Sequence, residues 1–123
     1  MSDNISVSIF MGSKSDLPIV QATSDTLKEF GVKHRMFILS AHRTPKEVVK
    51  RVKESEENGV KVFIAAAGMA AHLAGAIAAQ TTKPVFGIPL DGGDLDGVDS
   101  LLATVQMPKG VPLGCLAIDG AFN

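Results

Sequence analysis

The sequence has a single cysteine, no tryptophan, no tyrosine and no excess of either charge. With Cys115 alone an internal disulfide is excluded, which fits a reducing compartment. Cys115 itself sits in "PLGCLAI", which reads as a core position rather than a reactive thiol. Lys plus Arg number 12 against 13 Asp plus Glu, without a basic block or stripe, so neither nucleic acid nor an anionic membrane surface is expected as a partner. His34, His42 and His72 fall in separate segments with no CxxC or HExxH spacing, so no bound metal is expected. The start, "MSDNIS", lacks the basic-then-apolar order of a secretory signal, and the cytoplasm is the expected setting. One apolar run, Val62 to Ala79, approaches bilayer length. Gly68 divides it, however, into a strand-like part and an alanine-rich part, which predicts a buried strand, a tight turn and a helix.

What is present is a repeated order of strand, turn and helix. The chain of 123 residues is expected to form one α/β domain over 1–123, large enough for a single core but short for a sheet covered on both faces. "ISVSIFM" (Ile5 to Met11) leads through "GSKSD" into a helix with Ile19, Val20, Leu27 and Phe30 as apolar positions, ending at Gly31. A second strand over Lys33 to Leu39 carries the apolar run from Met36, which suits a buried sheet. A helix follows, with Thr44 as N-cap, Pro45 in its first position, Glu47 completing a capping box, Val48, Val49 and Val52 as its stripe, and Gly59 as its stop. Lys61 to Ala66 is the third strand and Ala70 to Ala79 an alanine-rich helix with almost no polar face, which needs cover on more than one side. "PVFGIPL" is a short fourth strand, "DGGDLDG" a loop, Asp99 to Gln106 a short helix and "GVPLGCLAI" a fifth strand. Such alternation predicts a parallel sheet with right-handed crossovers.

In such a sheet, turns at the carboxyl ends of strands gather on one edge, where ligands bind. Three turns, "GSKSD", "SAHRT" and "AGMAAH", should therefore share a crevice. The first offers Gly12 for close approach and the hydroxyls of Ser13 and Ser15 for a phosphate; Ser15 or Asp16 capping the helix would explain it as well. Asp16 suits ribose hydroxyls better than phosphate, since a carboxylate only accepts hydrogen bonds. Arg43 provides a permanently charged fork for phosphate oxygens, and a surface salt bridge is its alternative. Ser40 adds a hydroxyl. His42 suits proton transfer, imidazole being the side chain with an ordinary pKa nearest neutrality. The third turn contributes small residues and open backbone amides. His72 either faces the ligand or packs in the helix.

Together "MGSKSD", "SAHRTP", "AGMAAHL", "DSLLATVQMPKGVP" and "LAI" occur in the order and approximate spacing of class I N5-carboxyaminoimidazole ribonucleotide mutases, which this sequence resembles from Val7 onward. The resemblance implies a flavodoxin-like three-layer sandwich with a five-stranded parallel sheet in the order 2-1-3-4-5. It implies an enzyme of purine biosynthesis that moves a carboxylate from the exocyclic N5 to ring carbon C4 of a ribonucleotide, without cofactor or metal. Ser13 and Arg43 then match positions toward the phosphate, Asp16 the ribose, and Ser15 and Ser40 neighbouring pocket positions. His42 matches the general acid/base. The turn through Gly68, Ala70, Ala71, His72 and Leu73 matches the loop over the imidazole and the migrating carboxylate. The family also implies a homo-oligomer, an octamer with sites at subunit junctions. "AHR" favours class I over the class II carboxylases, which resemble a pattern with "AHK". Two departures stand out: Met69 occupies a place where the family usually has a second glycine, and the sequence stops at "DGAFN" where members continue for a few dozen helical residues, so missing terminal helices, an incomplete pocket wall and reduced activity are expected. The alternatives are direct carboxylation of aminoimidazole ribonucleotide and a catalytically silent phosphoribosyl or nucleotide-binding module.

Overall fold

The computed structural model describes residues 4–123, so the first half of the "MSDNIS" segment lies outside the described residues. The chain runs β1 (Val7–Met11), α1 (Leu17–Glu29), β2 (His34–Ile38), α2 (Pro45–Glu57), β3 (Val62–Gly68), α3 (Leu73–Ala78), β4 (Val85–Leu90), α4 (Val98–Val105) and β5 (Gly114–Cys115). All neighbouring strands pair in parallel, in the order β2-β1-β3-β4-β5, as expected. The apolar run from Val62 is a strand and a separate short helix, and among the described residues no helix is long and apolar enough to cross a membrane.

Alternation along the strands separates two cores. Phe10, Phe63, Ala65 and Val85 pack with Val48 and Val52 of α2 and with Leu73, Ala74 and Ile77 of α3. On the other face Val7, Ile9, Met11, Ala66, Ile88 and Leu90 pack with Val20 of α1 and with Ala121. One helix about 10 Å wide cannot cover five strands spaced about 4.8 Å apart. Beside α1 there accordingly runs an apolar groove of about 380 Å³, lined by Val62, Ile64, Phe86, Ile88 and Phe122 among others.

Several local expectations are corrected. Thr44 precedes α2 but forms no capping box: its hydroxyl donates to the Ser40 carbonyl at 3.1 Å and accepts from the Ser40 amide at 2.9 Å, while Glu47 pairs with Arg51 at 3.5 Å. The buried side of α2 is Val48, Val52 and Ser55, whereas Val49 is exposed. Ser55 belongs there because its hydroxyl meets that of Ser8 at 2.8 Å, pairing two polar groups inside the core. Phe30 lies just past the end of α1 and is also exposed. β2 is an edge strand, so its apolar run is only half-buried and Ile38 is exposed. The helix expected over Ala70 to Ala79 is confined to Leu73–Ala78, because Met69 takes a φ of 51° and the chain turns through Ala70 and Ala71 first. It buries Leu73, Ala74, Ile77 and Ala78 within its own chain, without outside cover. Of the expected fifth strand only Gly114–Cys115 pairs with β4.

Gly87 in β4 decides how closely α3 and α4 approach the sheet. A Cβ there would lie 2.5 Å from Thr104 Cγ2 and 3.2 Å from Ala74 Cβ, both buried. Gly87→Ala should therefore destabilise the fold by about 1–3 kcal/mol, the usual cost of overpacking. Urea titration measures it, and Thr104→Ser, which removes the clashing methyl, should restore part of the loss; a neutral Gly87→Ala would show that α4 yields freely.

Candidate functional site

Because every strand is parallel, β1, β2, β3 and β4 all end on one edge, and their following turns enclose a crevice of about 280 Å³. Of the residues singled out in the sequence, Ser13, Ser15, Asp16, Ser40, His42, Arg43, Gly68, Ala70, His72 and Leu73 line it. Ala71 is buried and is not among the lining residues. The three turns do converge.

The "GSKSD" turn is held by its own side chains. Ser13 caps a single 3-10 turn, Lys14–Asp16, that precedes α1. Its hydroxyl accepts from the Ser15 amide at 3.3 Å and pairs with the Ser15 hydroxyl at 2.9 Å, while Asp16 Oδ2 accepts from the Ser13 amide at 3.1 Å. Capping is thus real, but it falls to Ser13, and Asp16 caps nothing in α1. One Asp16 oxygen is committed to the turn, and the other carries no hydrogen bond among the described residues. Burial in the crevice pushes the Asp16 carboxyl above its ordinary value, and the Ser13 amide pulls it part of the way back.

Ser40 organises the second turn. Its hydroxyl accepts from the His42 amide at 3.2 Å and from the Arg43 amide at 3.0 Å, which bends the backbone so that two consecutive residues both reach the crevice. The Arg43 guanidinium is exposed and forms no ion pair among the described residues, so the salt-bridge alternative falls away. His42 Nε2 lies 2.8 Å from Nδ1 of His72, the two rings meeting edge to face with centroids 4.9 Å apart. His72 is therefore turned toward the crevice, at the N-cap of α3 and exposed. That hydrogen bond needs one proton between two nitrogens, and either ring can donate it.

His34 is a different case. Its Nδ1 meets the Val32 carbonyl at 2.9 Å, which can only accept, so this nitrogen donates and Nε2, 2.6 Å from the Ser24 hydroxyl, ties β2 to α1. Cys115 is half-buried; its thiol faces the Leu116 carbonyl at 3.4 Å, and burial pushes its pKa up. Among the described residues no three His, Cys, Asp or Glu side chains gather where they could hold a metal.

Sequence reasoning missed Gly92, which brings the turn after β4 into the crevice. The signal was available, since a fourth parallel strand must also end on this edge. The loop composition of "DGGDLDG" concealed it. A Cβ on Gly68 would lie 3.3 Å from the Leu90 carbonyl oxygen and 3.6 Å from Gly92 Cα, so the third and fourth turns are in backbone contact.

Known proteins agree with this architecture. A family model described as AIR carboxylase matches residues 6–123. Over 117 residues the chain is 50% identical to a Pyrococcus horikoshii protein and 48% identical to a Thermotoga maritima protein, both named N5-carboxyaminoimidazole ribonucleotide mutase. The match covers 95% of this chain and 66% and 68% of those proteins, so the chain spans about two thirds of their length. A Candida glabrata protein named phosphoribosylaminoimidazole carboxylase is also 50% identical over 117 residues, which make up 20% of its length and 95% of this chain. A crystal structure of Treponema denticola PurE superposes with a TM-score of 0.84 at 28% identity, covering 92% of this chain and 72% of that one. With the family model matched from residue 6 to residue 123 and about half of the residues shared with these relatives, the chain belongs to the AIR carboxylase family.

Proposed function

We propose that the chain acts as an N5-carboxyaminoimidazole ribonucleotide mutase, converting the N5-carbamate into 4-carboxy-5-aminoimidazole ribonucleotide for purine synthesis. The observation that carries this reading is the meeting of an exposed imidazole, an unpaired guanidinium and the Ser13–Asp16 turn in one crevice. Arg43 and Ser13 hold the phosphate; the uncommitted oxygen of Asp16 accepts from a ribose hydroxyl. Ser15 and Ser40 keep these two turns in shape, and the Gly68–Leu73 turn lies over the heterocycle.

The chemistry then needs one proton in and one proton out. His42 gives a proton to N5 as the N–C bond of the carbamate breaks, releasing CO2 that the crevice retains. The enamine-like C4 attacks this CO2, forming a C–C bond and leaving a positive charge on the ring system. Removal of the C4 proton by the now neutral His42 restores the aromatic ring. His72 holds the His42 ring through the 2.8 Å hydrogen bond, so the same nitrogen position serves both transfers. No oxidant or metal enters the balance.

Direct carboxylation is the second reading, favoured by the fungal relative at 50% identity whose printed name is a carboxylase. An ultraviolet assay separates the two. Turnover of the carbamate without added bicarbonate supports the mutase; turnover of aminoimidazole ribonucleotide that requires bicarbonate supports the carboxylase; binding without either supports a silent nucleotide-binding module.

The chain is further read as one copy of a cytoplasmic homo-oligomer, with an octamer as the expected size. In support, α4 exposes Val98, Leu102 and Val105 at successive helical turns, with Leu95 just before them. Light scattering after size exclusion, over a dilution series, tests this; a stable monomer at micromolar concentration would remove the assembly.

Two variants test the site. His42→Asn should lower turnover by about 10²- to 10⁴-fold while substrate binding persists, as for a lost general acid/base. Near-parental turnover would take the proton transfers away from His42. Arg43→Ala should weaken binding by about 1.5–3 kcal/mol, the scale of a hydrogen bond to a charged group, and Arg43→Lys should also bind less well because the planar fork is gone. The loss must appear with the nucleotide and vanish with its dephosphorylated nucleoside; equal losses would place Arg43 away from the phosphate.

A further inference from the structure

Met69 stands at a position that disfavours it twice. Its φ of 51° is left-handed, a conformation that strains any side chain with a Cβ, and its thioether chain is 57% exposed. Neither feature helps the fold. The side chain is nevertheless guided to one place: a Cβ on Gly93 would come within 3.0 Å of Met69 Cγ and 3.3 Å of its Sδ. Met69 thus lies across a bare stretch of the turn after β4, on the rim of the crevice that His42, His72 and Arg43 also line.

The other walls explain what such a residue is for. Leu73 is buried at 2% exposure, the remaining apolar lining is alanine, and no phenylalanine reaches the crevice. The sequence has no tryptophan or tyrosine to offer instead. A planar heterocycle needs an apolar surface against its face, and a flexible, polarizable thioether packs well on such rings. Met69 is the one large exposed apolar side chain among the described residues that line this space.

We propose that Met69 is a ring-binding residue, its thioether packing on the face of the substrate's five-membered heterocycle while Gly93 leaves room for it to lie flat. The inference rests on the ribonucleotide reading above and adds to it the residue that recognises the flat ring rather than the sugar phosphate. Substitutions here should separate these two parts of the ligand.

The experiment is calorimetric titration of Met69→Gly, Met69→Gln and Met69→Leu with aminoimidazole ribonucleotide and, separately, with ribose 5-phosphate. Met69→Gly and Met69→Gln should lose about two- to tenfold in affinity for the nucleotide, the scale of a thioether-ring contact, with ribose 5-phosphate unaffected. Met69→Leu, which keeps apolar bulk, should recover most of the loss. Thermal melts accompany each titration, and Met69→Gly should melt no lower than the parent because glycine accepts this φ freely. Parental nucleotide affinity in Met69→Gly, or an equal loss for ribose 5-phosphate, would overturn the inference while leaving the ribonucleotide reading intact. Failure of the parent chain to bind either ligand would remove that reading, and this inference with it.

Discussion

The structure depends on one constraint: all five strands run the same way. A parallel strand cannot return through a hairpin, so each must hand the chain to a crossover, here supplied by a helix. Every carboxyl end then lies on one edge, and four successive turns are brought together there without any contact having to be specified between them. What remains for the side chains is to shape each turn. Ser13 and Asp16 do this for the first and Ser40 with Thr44 for the second, while the third and fourth are in close backbone approach at Gly68, where a Cβ would lie 3.3 Å from the Leu90 carbonyl oxygen.

This constraint also explains what could be read from residue order alone. Alternation of apolar runs with helical patterns was enough for the parallel sheet, whereas its strand order came only from the family resemblance, and the positions of Ser13, His42 and Arg43 after strands were enough for a shared crevice. The details that escaped are those set by the third dimension. Val49 and Val48 look equivalent along the chain, yet helical geometry buries one and exposes the other. Nothing local marks β2 as an edge, so its apolar run suggested deeper burial than it has. Thr44 is the N-cap residue of α2, but its hydroxyl bonds to the Ser40 amide and carbonyl and to no helix amide, which residue order alone does not show. His72 was undecidable until a second histidine, 30 residues away, was seen beside it.

The serines show how a structural and a binding role coexist. A hydroxyl has one donor and two acceptor sites. Ser40 uses both acceptor sites on the amides of His42 and Arg43, which leaves its proton free to be donated outward. Ser13 accepts from the Ser15 amide and shares a further hydrogen bond with the Ser15 hydroxyl, in which either oxygen can donate. Capping and ligand binding are therefore not rival explanations of these residues: the turn that satisfies the backbone is the turn that aims the remaining polar valence at the crevice.

The choice of partner for His42 follows from charge. A histidine that moves protons is commonly oriented by a carboxylate, which also stabilises its cationic form. On the proposed reading the ligand carries a phosphate and a migrating carboxylate, and another fixed negative charge would repel it in a poorly screened space. His72 provides the orienting hydrogen bond without that charge, since a neutral imidazole can accept or donate according to its tautomer. Arg43, free of any carboxylate partner among the described residues, keeps its full positive charge available on the same turn. Asp16 is the exception: one of its oxygens already accepts from the Ser13 amide, and burial raises the pKa of its carboxyl. On the proposed reading Arg43 meets the anionic part of the ligand and Asp16 accepts from its hydroxyls.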